Sequence, residues 1–207
     1  MSLLSDNDII YKLAACDLLD EALVVLGMTH TDVYVLPTAR YKFGITRNPA
    51  RAEARYGPDV VARIRDFLAS VRELDVVGPP EELQLLAEVD GVDAGEAVLF
   101  SAIMRFDHYL LATGDKNSLR AVASIPACQS IALRLCGHVI CIEQIVMRVI
   151  QHFGFAYVKD KIVPARSCDT ALRAAFGSGD AATESNVLAT LDGYINELRF
   201  LAIDLLV

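Results

Sequence analysis

Four acidic side chains stand at the polar ends of apolar segments. Asp6 follows Leu3-Leu4-Ser5, Asp93 and Glu96 open the apolar run from Ala94 to Phe100, and Asp115 follows Tyr109-Leu110-Leu111-Ala112-Thr113-Gly114. Asp6 and Asp115 thus come just after strand-like runs, and the other two form a pair at a helix start. In an open α/β sheet such positions converge in the crevice beyond the carboxyl ends of the strands. Carboxylates gathered there repel one another unless a hard cation neutralises them, so the chemistry implied is that of Mg²⁺ or Mn²⁺. Asp93 and Glu96 are three positions apart and share a helix face, in the first turn, where the helix dipole favours anions. The plain alternative is that each of these acids only caps a helix, a task Asp performs well.

The elements that must position them follow from the apolar pattern. Leu3-Leu4-Ser5 reads as a short buried strand, and Asp6-Asn7-Asp8 starts a helix carrying Ile9, Ile10, Leu13 and Ala14. A second helix is expected over 17–26, stopped by Gly27, and a second strand over 33–36, stopped by Pro37. Thr38 caps a helix toward Phe43, Asn48-Pro49 starts another with Pro at the favoured first position, and Gly57-Pro58-Asp59 breaks it and starts the next. Asp75-Val76-Val77 reads as a third strand, 109–112 as a fourth and 139–142 as a fifth, with helices between them. Strands alternating with helices to about residue 154 predict an α/β, three-layer α/β/α fold with a mostly parallel five-stranded sheet over residues 1–154. Residues 155–207 read as a wholly helical C-terminal extension, with a small polar loop at 178–182 and a long amphipathic helix over 183–206.

The chain has 207 residues, 54% of them hydrophobic, and a net charge of -8. That is long enough for one large domain with an appendage, and the apolar surplus predicts a homo-oligomer interface. The negative balance argues against a protein that coats nucleic acid non-specifically. Charge is local, however: eight bases and three acids between Arg40 and Arg72 give that stretch +5 and leave -13 for the remainder. This basic stretch reads either as a solvated helical surface with i,i+4 pairs or as a phosphate-contacting patch. The five cysteines are odd in number, irregularly spaced and without a CxxC pair, which suggests buried free thiols in a reducing cytoplasm. The four histidines show no ligand spacing, so no zinc site is expected. No basic-then-apolar leader is visible, and the most apolar stretch, 139–150, contains Glu143 and Arg148 and is too short to span a bilayer. A cytoplasmic protein with no membrane partner is expected. Gly177-Ser178-Gly179 has no strand before it and does not read as a phosphate loop.

The order of the acidic motifs resembles the PIN-domain family. The family's opening, an apolar strand followed by Asp and a polar step into a helix, is similar to Leu3-Leu4-Ser5-Asp6-Asn7-Asp8-Ile9-Ile10. Its later motif, an acid-led helix, a strand and a second Asp, is similar to the stretch from Asp93-Ala94-Gly95-Glu96-Ala97 to Leu110-Leu111-Ala112-Thr113-Gly114-Asp115, with Arg120 following. The resemblance implies a metal-dependent nuclease acting on RNA, often the toxin of a toxin–antitoxin pair with an antitoxin-like protein as partner. It assigns the metal to Asp6, Glu96 and Asp115, with Asp93 as an additional ligand or orienting group. It places Asp8, Thr113 and Asn117 around them as supporting donors, and Arg40 and Lys42, which start the basic stretch near the same sheet edge, are expected to hold substrate phosphates. One departure stands out. The family's Glu on the helix after the second strand is missing from Val35-Leu36-Pro37-Thr38-Ala39-Arg40-Tyr41-Lys42, where Arg40 or Tyr41 stands near its place. That gap, with the long apolar C-terminal helix, supports an alternative: a catalytically silent PIN-like binding or assembly module. A third reading, a phosphatase using Asp6-Asn7-Asp8 as an Asp-x-Asp motif, requires a Lys and a later acidic pair in particular places, and here the helix begins at once after Asp6.

Overall fold

The computed structural model describes residues 1–202 and 204–207. Five strands form one sheet: β1 (Ser2–Ser5), β2 (Val33–Val35), β3 (Arg72–Glu73), β4 (Tyr109–Ala112) and β5 (Val139–Ile140). Thirteen helices accompany them among the described residues. Between β1 and β2 lie α1 (Asn7–Ala15) and α2 (Leu19–Leu26); between β2 and β3 lie α3 (Ala39–Lys42), α4 (Pro49–Tyr56) and α5 (Pro58–Ser70). Before β4 come α6 (Pro80–Ala87) and α7 (Ala94–Ala102), and before β5 come α8 (Lys116–Ser124) and α9 (Gln129–Leu135). The chain closes with α10 (Ile142–Phe153), α11 (Phe155–Ala165), α12 (Thr170–Ala175) and α13 (Glu184–Leu201).

The sheet order is β3-β2-β1-β4-β5 and every pairing is parallel, as expected for an α/β fold. Side chains alternate across the strands and feed two separate cores. Leu3, Val33, Val35, Leu110, Ala112 and Ile140 pack with α1, α2, α5, α10 and α11 on one face. Leu4, Tyr109, Leu111 and Val139 pack with α6, α7, α8 and α9 on the other. Strands buried on both faces explain why the short runs are almost continuously apolar.

The segment after residue 154 is built into both cores. Val158, Ile162, Leu172, Phe176, Val187 and Leu191 belong to the first cluster, whereas Ile195 and Leu198, further along α13, belong to the second. The segment is also not wholly helical. The last helix ends at Leu201, and Leu206 then forms a parallel bridge to Val139, so the chain end shields the edge strand β5.

Two further expectations need correction. The third strand lies at Arg72–Glu73 rather than 75–77. It is two exposed residues long and held by pairing with Tyr34 and Val35, so no apolar run announces it. The second helix begins at Leu19, because Asp17 takes a left-handed φ of 55° that interrupts the helix after Cys16. The expected stop at Gly27 is present, with the left-handed conformation that glycine adopts without strain. All five cysteines are free; the Sγ atoms of Cys16 and Cys168 are 3.9 Å apart, tying the end of α1 to the approach to α12.

Phe176 is fully buried in the cluster that also holds Leu3 and Val33. Phe176→Ala is expected to cost about 3–5 kcal/mol, read from urea unfolding. Because the residue shares a core with the sheet, its loss should shift one cooperative transition, and a separate early transition confined to the C-terminal segment would contradict this.

Candidate active site

β1 leads by α1 and α2 to β2 on one side, whereas β4 pairs with its other side. Connections that leave in opposite directions open a crevice at the carboxyl ends of these two strands. A cleft of about 820 Å³ lies there, lined by Asp6, Asp93, Glu96 and Asp115 together. The four acids come from three separate segments and meet only through the sheet.

Asp6 occupies the N-cap position of α1, with its backbone N–H on the carbonyl of Ala112 at 2.9 Å. Its carboxylate makes no capping hydrogen bond, so it is left free for the cleft. Burial, then the charges of Asp8 and Asp93, push its pKa up to about 6, against the weaker pull of the Asn7 and Asp8 amides. Asp93 and Glu96 form a reciprocal capping box: the Glu96 amide donates to Asp93 Oδ1 at 2.9 Å and the Asp93 amide to Glu96 Oε2 at 2.8 Å. Glu96 is only 3% exposed, and burial is the main cause raising its pKa to about 7, with Asp115 and Asp93 adding to it. Asp115 caps α8 through Oδ1, which accepts from the Asn117 and Ser118 amides at 2.7 and 3.2 Å. Capping and site formation are therefore compatible, because a carboxylate has two oxygens. Neighbouring acids add to the effect of burial on both Asp6 and Glu96.

The remaining expected residues divide. Lys42 and Asn117 line the cleft. Buried Thr113 accepts the Asp115 amide on Oγ1 at 3.3 Å, steadying the loop after β4. Asp8 also lines the cleft, but its carboxylate is committed to Lys12 at 2.5 Å. Arg40 is not among the lining residues: it donates to the Leu68 carbonyl at 3.2 Å and pairs with Glu73 at 3.3 Å. Residues two apart on a helix do not face the same way, so Arg40 and Lys42 cannot share one role.

Several lining residues lay beyond the sequence reading, Asn7, Lys12, Glu143, Asp169 and Tyr194, whereas Arg55 comes from the basic stretch. Lys12 is clamped between Asp8 and, at 2.8 Å, Asp169, which joins the C-terminal segment to α1. The loop after β4 passes so close that a Cβ on Gly114 would collide with the Asp8 carboxylate and lie 2.9 Å from Lys12 Nζ. Glu143, three residues after β5, obeys the rule that picked out Asp6 and Asp115, an acid just beyond a strand, and could have been found by it. Asp169 could not, since no strand precedes it.

The donor set suits a hard cation. The four acids offer oxygens, and two buried oxygens of the lining outside that set, Asn7 Oδ1 and Glu143 Oε2, have no hydrogen-bond partner. Among the described residues, no three carboxylate, imidazole or thiol groups already stand together as ligands for one ion. A small divalent ion that keeps most of its water needs only one or two carboxylates. Asp6, Glu96 and Asp115, with Asp93 beside them, are the residues that would hold it. No family model, curated protein or solved structure matches the chain.

Asp6 and Glu96 keep their protons to higher pH in the folded chain than their ordinary values of 3.8 and 4.5 allow. Between roughly pH 4 and 7 the unfolded chain has released protons that the folded chain retains, so stability falls as pH rises through that window and levels off above it. Asp6→Asn removes the Asp6 share, on the order of 2 kcal/mol. Denaturant unfolding at pH 5 and pH 8, in chelator, should show a smaller loss for this variant than for the wild type. Equal losses would refute the assignment.

Proposed function

We propose that this chain is a PIN-like, Mg²⁺- or Mn²⁺-dependent nuclease that hydrolyses RNA phosphodiester bonds. A toxin–antitoxin role, with an antitoxin-like protein as partner, belongs to the same reading. The observation that carries it is the convergence of Asp6, Asp93, Glu96 and Asp115 in one cleft at the switch point between β1 and β4. A second support is the charge around that cleft. Lys42 and Arg55 line it, and neither they nor exposed Arg47 and Arg51 join an ion pair among the described residues.

A bound divalent ion supplies positive charge for the phosphoryl oxygens and lowers the pKa of water. The chain's own groups do the rest. Asp115 is oriented by its bonds to the α8 amides, and Glu96 by its bond to the Asp93 amide. One of the four carboxylates would accept the proton from attacking water. Lys42 and Arg55 hold the polyanionic strand beside these acids.

The rival reading is a silent binding module. Lys12, an internal cation held by Asp8 and Asp169 in the same cleft, favours it by offsetting part of the acidic excess without a metal. Calorimetric titration separates the two: the module requires no Mg²⁺ or Mn²⁺ binding up to millimolar concentrations.

For the nuclease, cleavage of a labelled single-stranded RNA should depend on Mn²⁺ or Mg²⁺ and stop in excess chelator. Asp6→Asn and Asp115→Asn are expected to lower kcat by more than about a hundredfold. Lys42→Gln and Arg55→Gln should mainly raise KM, because they remove binding that ground state and transition state share. Cleavage that persists unchanged in the Asp6 and Asp115 variants would overturn the proposal.

A further inference from the structure

The cleft has a second wall that these roles leave unused. Lys116 and Arg120 are four residues apart on α8 and therefore share a face, and both line the cleft. They lie on the β5 side of the acids, whereas Lys42 and Arg55 follow β2 on the opposite side. Lys116 Nζ is 2.8 Å from Glu143 Oε1 and 4.6 Å from the centre of the Tyr194 ring. Arg120 Nη2 reaches Glu197 at 3.3 Å, and its Nε is buried without a partner. Tyr194 and Glu197 belong to α13, so the C-terminal segment completes this wall.

Glu143 is the unusual member. Its side chain is 2% exposed, its other oxygen has no partner, and its only ion pair among the described residues is with Lys116. Burying a carboxylate is costly, and this one faces a cleft already crowded with acids. Its placement has a clear effect: it fixes the Lys116 ammonium in the wall of the cleft. Lys116 carries three donors, and the Glu143 contact occupies one. The unused donors of Lys116 and the remaining Nη donors of Arg120, whose side chain is 35% exposed, offer hydrogen bonds to an oxyanion.

We propose that Lys116 and Arg120 form a phosphate-binding subsite on the β5 side of the cleft, with Glu143 as the positioning residue for Lys116. The ligand is a backbone phosphate of single-stranded RNA, and its identity as RNA rests on the nuclease reading above. The strand then crosses the acids from the Lys42–Arg55 wall to the Lys116–Arg120 wall, held on both sides of the bond to be cut.

The test is binding of a fluorescent single-stranded oligoribonucleotide to the full chain in excess chelator, by anisotropy across a range of KCl concentrations. Lys116→Gln and Arg120→Gln should each weaken binding about tenfold and reduce the slope of log K against log salt by about 0.7. Arg105→Gln, an exposed cation before the start of β4 and outside the cleft, should change neither. Glu143→Ala should weaken binding on its own but add nothing in the Lys116→Gln background, and Glu143→Gln, whose amide oxygen still accepts from Lys116, should recover most of the loss. A merely structural Glu143 would add its cost in both backgrounds. If the Glu143 variants fail to fold, the Lys116 and Arg120 variants decide the subsite alone. Wild-type affinity and salt slope in both of those, or no binding by the wild type, would overturn it. RNA binding with the expected losses but without Mn²⁺-dependent cleavage leaves the subsite standing and removes the catalytic reading. Cleavage with unaffected binding in the variants does the reverse.

Discussion

The site depends on β1 pairing on both of its edges. Parallel partners on either side, β2 through Leu3–Val33 and β4 through Leu3–Leu110, place this strand at the centre and send its neighbours' connections in opposite directions. The hydrogen bond from the Asp6 amide to the Ala112 carbonyl extends that pairing one residue beyond the strand. It fixes Asp6 next to the loop that carries Asp115. The loop in turn lies close to α1, where the Asp8–Lys12 pair fills the space that a Cβ on residue 114 would take. A strand of four residues thus sets the distance between acids more than a hundred positions apart in the chain.

The electrostatics follow from that geometry. Carboxylates brought together and partly withdrawn from water disfavour their charged forms, which is why Asp6 and Glu96 hold protons at pH values where free carboxyls are ionised. The protein limits the repulsion with its own cations. Lys12 is clamped by Asp8 and Asp169, and Lys116 by Glu143. Asp93 and Asp115 also share their charge with helix amides. Among the described residues Asp6 has no paired cation, and the pull of the Asn7 and Asp8 amides only partly offsets its burial.

The C-terminal segment adds to the core in the same way as the sheet helices. α13 passes from one hydrophobic cluster to the other, with Val187 and Leu191 in the first and Ile195 and Leu198 in the second. A helix that must reach both faces has to run past the sheet edge at β5, and this brings Tyr194 and Glu197 to the cleft. Docking of the helix and completion of the cleft wall are one packing event. A heptad-like apolar pattern indicates that a helix is buried, but not which neighbours it is buried against.

Much of this was legible in the residues themselves. Apolar runs followed within a few positions by an acid marked β1 and β4 and the carboxylates beyond them, and Asp93 with Glu96 carried its capping box in its spacing. These features are local, set by backbone hydrogen bonding and side-chain period over a few residues, so the chain encodes them directly. β3 escaped notice because its two residues are exposed and owe their conformation to a neighbouring strand. Arg40 and Lys42 are two positions apart in sequence, yet only the docking of α3 decided that Lys42 lines the cleft while Arg40 pairs with Glu73. The sequence by itself determined the alternation of strands and helices and the acids at their ends. The tertiary structure alone decided that Asp169 and Tyr194 join those acids, because which groups share a cleft depends on sheet order and helix packing, and both are contacts between residues far apart along the chain.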